Sequence, residues 1–509
     1  MEGAPRWRRR RRTGFRKANA VCASMAHPTG PILPNSPEVT VSDLPQSFPI
    51  QTEAVAVAEL PDEPNPVDLP VPQGPPAQPV SQRERIPAID VVRGVALMGI
   101  LLMNIAAFSG PWDLYINPLI VGNHRAANLV AWTFRWVLFE GKMRAAFSML
   151  FGAGVILLTA RAERRGSTHI ADVFLRRNMW LTLFGVLHFY FIWAGDILYY
   201  YGITALLFLY PCRTLRWKTL AIAGGLVLLI GVGLDTYLSW ESLRTKNEGL
   251  AAQALANRHV QLTTLQQDAL KRWNDTLDRR KKEREDDLKA MRGTYLDQLK
   301  FRAEWGPKVQ ATNYYTFGFA DALGMMLIGM GLFKAGFLTG ALRTRLYAWV
   351  IAIGFLVSLP LNGLQAWGLI RDNFEYESAW WILYQLGRVT GAVANIAVVV
   401  LVANSGLLPW LVRCIAAVGQ TALSNYLLTS ISCSFFFSRY GANLYGKVEY
   451  YQLFALVLVV WAINLTVSPI WLRYFQFGPM EWVWRSLTYW QRQPMRRKVA
   501  APEPVAVPA

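Results

Sequence analysis

Residues 89 to 473 form a near-unbroken series of apolar runs, with the charged and polar groups placed mostly at the ends of the runs. A soluble fold cannot hide that much apolar surface, so the pattern reads as a chain that crosses a membrane many times. The run IDVVRGVALMGILLMNIAAF, Ile89 to Phe108, shows why. About 20 residues at about 1.5 Å each cover about 30 Å, the thickness of a hydrocarbon core. Asp90 and Arg93 lie three apart on one helical face and can pair near one interface, while Asn104 falls near the other.

Hydrophobic residues make up 53% of the chain, with 20 Trp, 20 Tyr and 25 Phe, which excludes an ordinary soluble enzyme. Cys22, Cys212, Cys414 and Cys433 form no CxxC pair and no metal-ligand spacing, so they read as small apolar fillers. The formal charge of +18 is concentrated at membrane edges, which points to lipid surfaces and not to nucleic acid. No P-loop, GxSxG, HExxH or dinucleotide fingerprint occurs, so no soluble-enzyme chemistry and no metal site are expected.

The chain divides into five stretches. Residues 1–85 are a basic, Pro-rich arm, expected to be disordered and cytoplasmic; RWRRRRR lies ahead of Met25, and Met1 and Met25 are rival starts. No apolar stretch precedes Ile86, so the first span would itself direct insertion. Residues 86–238 are an N-terminal transmembrane half, 239–311 a charged extracytoplasmic insert, 312–473 a C-terminal transmembrane half, and 474–509 a cytoplasmic interfacial helix and tail. Spans are expected near 89–108, 145–160, 174–193, 197–211, 218–238, 313–333, 346–367, 380–402, 411–436 and 452–472, which makes ten. The aromatic run at 128–139 is too short for a span and suits an interfacial or re-entrant helix; an eleventh crossing would need it. The loops 161–177, 212–218 and 334–345 and the tail from Arg473 are basic, which places both termini in the cytoplasm. In the insert, Leu270, Trp273 and Leu277, then Leu288, Met291, Tyr295 and Leu299, recur at helical spacing and predict a helical hairpin.

Ionisable groups inside a bilayer are costly and need a partner or a purpose. His188 lies eleven residues beyond Arg177, about 16 Å along a helix, and reads either as a hydrogen-bonded neutral imidazole or as a proton- or acyl-transfer group. Asp196, eight residues on, orients it only indirectly or caps the next helix. Glu140, Lys142 and Arg144 sit at the outer entrance of a span, as snorkelling anchors or as a substrate-facing cluster; Gly152 and Gly154 allow close helix approach there.

RIPAIDVVRGVALMGILLMNI, FEGKMRAAFSMLFGAG and RRNMWLTLFGVLHFYFIWAGDILYYYGI, followed by GQTALSNYLLTS and FGPMEWVWRSLTYW, resemble in order the motifs of the YeiB-like bacterial membrane proteins, a family defined as a domain of unknown function. The resemblance covers about 86 to 498. Glu140, Lys142, His188, Asp196, Asn425, Tyr426 and Glu481 match the family pattern, and Asp90, Arg93 and Asn104 match its first motif. That first motif is also similar to the opening helix of transmembrane acyltransferases, which move an acyl group from cytoplasmic acyl-CoA to an acceptor on the far side. Those enzymes place their histidine soon after the first span, where this chain has only His124, at a different spacing.

The resemblance therefore implies an all-α polytopic bundle with an acyltransferase-like core. His188 and Asp196 would be catalytic, and Asp90, Arg93, Asn104, Glu140, Lys142, Asn425 and Tyr426 would bind substrate. Acyl-CoA is the candidate donor, a glycan or lipid the candidate acceptor, and membrane lipids are partners. No resident cofactor is expected. A transporter or lipid-handling protein without chemistry is the alternative, and an interaction protein working through the insert a third. The topology predicts that a cysteine placed within 241–310 reacts with a membrane-impermeant thiol reagent on intact cells; reaction only after lysis would reverse the orientation.

Overall fold

The computed structural model describes residues 86–497 except positions 165, 168 and 376–378 and the Phe317 side chain. The N-terminal arm, with its rival starts, and the end of the tail lie outside the described residues. Among the described residues the chain is helical, and the only strand-like pairing is an isolated bridge between Phe475 and Arg496. In order, the helices are α1 (Pro87–Ser109), α2 (Asp113–Ile116), α3 (Arg125–Leu138), α4 (Lys142–Arg164), α5 (Ile170–Phe191), α6 (Leu198–Thr204), α7 (Tyr210–Cys212), α8 (Trp217–Asn257) and α9 (Thr264–Met291). They continue with α10 (Tyr295–Pro307), α11 (Phe319–Lys334), α12 (Thr344–Arg371), α13 (Tyr384–Asn404), α14 (Pro409–Gln420), α15 (Ala422–Phe437), α16 (Leu453–Tyr474) and α17 (Pro479–Tyr489).

Local sequence explains many of the boundaries. Proline occupies the first turn of α1, α14 and α17, where its missing N–H costs nothing. Thr263 and Thr294 open α9 and α10 with reciprocal capping boxes to Gln266 and Asp297. The wider π-helical turns at Ala205–Leu209 and Lys308–Gly318 join α6 to α7 and α10 to α11.

Six helical segments are long and apolar enough to cross a membrane: Pro87–Ser109, Arg125–Arg164, Trp217–Asn257, Thr344–Arg371, Ala379–Asn404 and Tyr450–Tyr474. A seventh is added if the bent pair Tyr295–Thr316 and Phe319–Lys334 is one span. All ten stretches read from the sequence are helical, but six rather than ten meet these criteria. α5 has the length at 22 residues, yet Arg176, Arg177, Asn178 and His188 dilute its apolar character. The expected span 411–436 is not one helix. It breaks at Thr421, where the carboxylate of Glu481 accepts from the backbone N–H groups of Leu423 (2.6 Å) and Ser424 (3.2 Å) and so caps α15 from outside.

α1 is the central helix, with 78% of its most apolar stretch buried, against 11% for α8. Leu229 and Ile230 of α8 are 66% and 72% exposed, as expected of a face turned to lipid. Gly152 and Gly329 let α4 and α11 touch backbone to backbone, since a Cβ at either would stand 2.0 Å from the carbonyl oxygen of Met326 or Met149 respectively. Gly154, by contrast, faces open space.

The insert is helical, but it does not begin at a break: α8 runs through position 238 without interruption and pairs with α9 beyond it. Trp273 is buried on this hairpin, whereas Leu277 and Tyr295 are exposed. α9 is tied to the loop before α16 by Asp287, which accepts from Tyr445 Oη at 2.9 Å, and by Arg292, which donates to the Tyr445 carbonyl at 3.1 Å. Burial pushes the Asp287 carboxyl up to about 7, with the Tyr445 hydrogen bond pulling the other way. The docked state therefore holds a proton that an undocked carboxyl, titrating near 4, releases, so docking weakens as pH rises from about 4 through 7. Intrinsic-rate-corrected amide protection of 284–292 is expected to be higher at pH 5.5 than at pH 8.5. Asp287→Asn should abolish that difference.

Candidate functional site

A cavity of about 230 Å³ is bounded by α1, α4, α5, α6, α14, α15 and α17. A single water needs about 10–15 Å³ by such a measure, so the space takes a sizeable group. Its body is apolar, walled by Leu97, Phe147, Phe151, Leu158, Phe174, Leu181 and Leu198. Its mouth is basic: Arg93 from α1, Arg161 from the end of α4, Arg177 from the start of α5 and Arg485 from α17 face two carboxylates, Asp90 and Glu481.

Arg93, Arg177 and Glu481 are held in place by their neighbours. Arg93 donates to Asp90 Oδ1 at 3.1 Å and to the Gly419 carbonyl at 3.4 Å, and its side chain remains 28% exposed. The Arg177 guanidinium lies 3.7 Å over the Trp484 ring, whose Nε1 donates to the Arg177 carbonyl at 2.8 Å. Glu481, besides capping α15, accepts from Ser424 Oγ; burial pushes its carboxyl up, against the pull of the hydrogen bonds it accepts.

At the far end of the cavity stands Tyr426, with Ile197, Leu198 and Tyr201. The Tyr426 ring packs 5.0 Å from the His188 ring, and Tyr426 Oη accepts from the Ile197 N–H at 3.4 Å. Behind it, His188 Nδ1 and Asp196 Oδ1 approach to 3.0 Å with both side chains essentially inaccessible, although the pair is not aligned as a hydrogen bond. His188 Nε2 has no hydrogen-bond partner among the described residues. The other Asp196 oxygen accepts from the Tyr199 N–H at 2.7 Å and caps α6. Tyr426 also lines a second cavity of about 20 Å³, room for about one water, together with Asn104, Trp193 and Asn464.

His188 and Asp196 meet directly, closer than the sequence suggests, because α6 folds back onto α5. A Cβ on Gly185 would lie 2.1 Å from Tyr199 N, and one on Gly202 would lie 2.3 Å from Thr182 Oγ1. His188 occupies the last turn of α5, not the middle of a span.

The remaining expected site residues separate into three groups. Asp90, Arg93 and Tyr426 line the large cavity; Asn104 lines only the small one. Asn425 is spent on structure, donating to Thr421 Oγ1 at 3.0 Å and Ser468 Oγ at 2.9 Å. Glu140 and Lys142 belong to a distinct buried network and are not snorkelling anchors, being 4% and 1% exposed. Glu140 pairs with Arg135 at 2.7 Å and accepts from Tyr115 Oη and Tyr384 Oη, while Arg388 pairs with Asp321 and donates to Gln385. Arg135, Asp321 and Arg388 escape the motif-based reading of the sequence. A signal for two of them is present there, since Asp321 and Arg388 interrupt the apolar runs 313–333 and 380–402.

Residues 332–491 match the family described as a protein of unknown function, DUF418. The chain is 31% identical to the uncharacterized protein YeiB of Escherichia coli (strain K12) over 415 residues, 80% of this chain and 96% of that protein. It is 30% identical to the uncharacterized protein YxaH of Bacillus subtilis (strain 168) over 441 residues, 83% of this chain and 98% of that one. No solved structure matches.

Gly185→Ala is expected to force α5 and α6 apart and to lower stability by about 1–3 kcal/mol, the usual cost of overpacking. Thermal unfolding in detergent checks this, with Gly154→Ala, which meets open space, expected to melt as the unaltered protein does.

Proposed function

This chain belongs to the YeiB-like, DUF418 family, and we propose that it is a multi-pass inner-membrane protein that draws in the acyl chain of an anionic amphiphile from the cytoplasmic side. The observation that carries this reading is the joining of a four-arginine rim to an apolar cavity within one wall of helices. An anionic head group gains charge-assisted hydrogen bonds at the rim, while its tail leaves water for the apolar body. Acyl-CoA has both parts and is the donor we assign. Both termini are cytoplasmic in this reading, which puts the rim on the side from which acyl-CoA arrives and the insert outside.

The finer reading is acyl transfer to a glycan or lipid acceptor on the outer side, and the buried His188–Asp196 pair favours it. In that step the acceptor oxygen bonds to the acyl carbonyl carbon as the carbon–sulfur bond breaks. The acceptor proton passes to the imidazole and then to the departing thiolate, and Asp196 stabilises the imidazolium between. Tyr426 stands between the cavity and His188, so the step requires its ring to move aside. The alternative of lipid handling without chemistry draws on that same placement, since His188 is sealed behind Tyr426 and does not line the cavity.

Binding of long- and short-chain acyl-CoA to the purified protein tests the first reading, and label transfer to lipid or glycan tests the second. Long-chain acyl-CoA is expected to bind saturably and Arg177→Gln to weaken it about tenfold, the loss of about one charge-assisted contact. Transfer is expected to vanish in His188→Ala with binding retained. Binding without transfer leaves lipid handling; absence of saturable binding to folded protein overturns both readings.

A further inference from the structure

One face of α4 runs the length of the cavity wall. Phe147, Leu150, Gly154, Leu158 and Arg161 recur along it at three- and four-residue steps, and all of them line the cavity. Arg161 stands at the mouth, and Phe147 stacks on Tyr201 at the far end with ring centroids 6.0 Å apart. Gly154 is seven residues from each of them, so it lies midway, about 10 Å along the helix from either end.

The usual reasons for a glycine do not apply at this position. Its backbone is ordinary right-handed helix, where glycine is a poor former. Close helix packing does not require it either. A Cβ on Gly152 would run into the Met326 carbonyl of α11, whereas a Cβ on Gly154 would meet no heavy atom within 4 Å. The open space in front of Gly154 belongs to the cavity. In a stripe otherwise made of Phe, Leu and Arg, this is the one position without a side chain to project into the passage.

We infer that Gly154 is a specificity-determining position: it keeps the passage from the arginine rim to Tyr201 and Tyr426 open, so that the cavity takes a long acyl chain and measures its length against those two tyrosines. From Arg161 to Phe147 the wall extends about 20 Å along α4, a depth that an acetyl group would leave almost empty. Each further methylene drawn out of water strengthens binding about fourfold until the tail meets the far end. That end is fixed. Tyr201 is 2% exposed, with its hydroxyl 2.6 Å from Ser148 Oγ and donating to the Arg144 carbonyl at 3.3 Å, and Tyr426 is backed by the His188 ring. The inference rests on the acyl-chain reading of the cavity and concerns binding alone, so it stands whether or not the bound chain is afterwards transferred.

The test uses the full chain in phosphatidylcholine nanodiscs, titrated with saturated acyl-CoAs from butyryl to stearoyl and followed by calorimetry. Gly154→Leu is compared with the unaltered protein at every chain length, and the ratio of the two dissociation constants is read, because partition of the probe into the bilayer cancels in it. The ratio is expected to approach one for butyryl-CoA and to reach at least about tenfold for the longest chains, the loss of about two or more buried methylenes. Gly225→Leu on α8, where a Cβ also meets open space but outside the cavity wall, is expected to show no such rise. A ratio equal at all lengths, a ratio larger for short chains, or the same rise in Gly225→Leu overturns the inference and leaves acyl-CoA binding standing. Absence of saturable binding of any acyl-CoA to the unaltered protein overturns the reading of the cavity, and the inference with it. If Gly154→Leu does not fold, Gly154→Ala takes its place, and a flat ratio there overturns the inference in the same way.

Discussion

The organisation of this protein depends on the cost of placing charge inside an apolar bundle. Arg135 and Arg388 are fully inaccessible, and an unpaired guanidinium in such a place would be untenable. Glu140 and Asp321 answer them, and in doing so lock distant parts of the chain: the turn between α3 and α4 against α2, and α11 against α13. The close backbone contact of α4 with α11 through Gly152 and Gly329 lies a few turns away on the same helices. Paired charges and missing side chains thus act together to set which helices are neighbours.

The helical class and the helix positions are legible in the sequence, because an apolar run of about 20 residues in a bilayer must satisfy its own backbone hydrogen bonds and does so as a helix. Where such runs stop being single helices is not legible there. The break at Thr421 depends on Glu481, which lies 60 residues downstream and is brought in only when α17 folds beneath α15. Continuity of α8 through 238 is hidden for the opposite reason, since a change of composition at the membrane surface looks like a boundary although the backbone continues unchanged.

The site is legible in part, and the failures share a cause. His188, Asp196 and Tyr426 stand out in the sequence and come together, whereas Asn425, equally polar and one position away, turns to the other side and ties α15 to α16. Neighbours on a helix differ by about 100° in direction, and a motif does not say which one faces a cavity. Arg177 and Arg485 look like edge charges in the sequence. Their role at a cavity mouth follows from Trp484, which carries the Arg177 guanidinium on its ring and so brings α17 to the start of α5.

α8 has a mechanical consequence. At 41 residues it extends about 60 Å, roughly twice the hydrocarbon thickness, without a proline or a break. A rod of this kind has no hinge where it leaves the bundle, so its outer hairpin cannot swing as an independent module and keeps the orientation of the helices that anchor it. The apex between Asn257 and Thr264 is accordingly a mast head: a folded tag grafted there would stand in fixed register with the transmembrane helices, giving image alignment a landmark that the bundle itself does not offer.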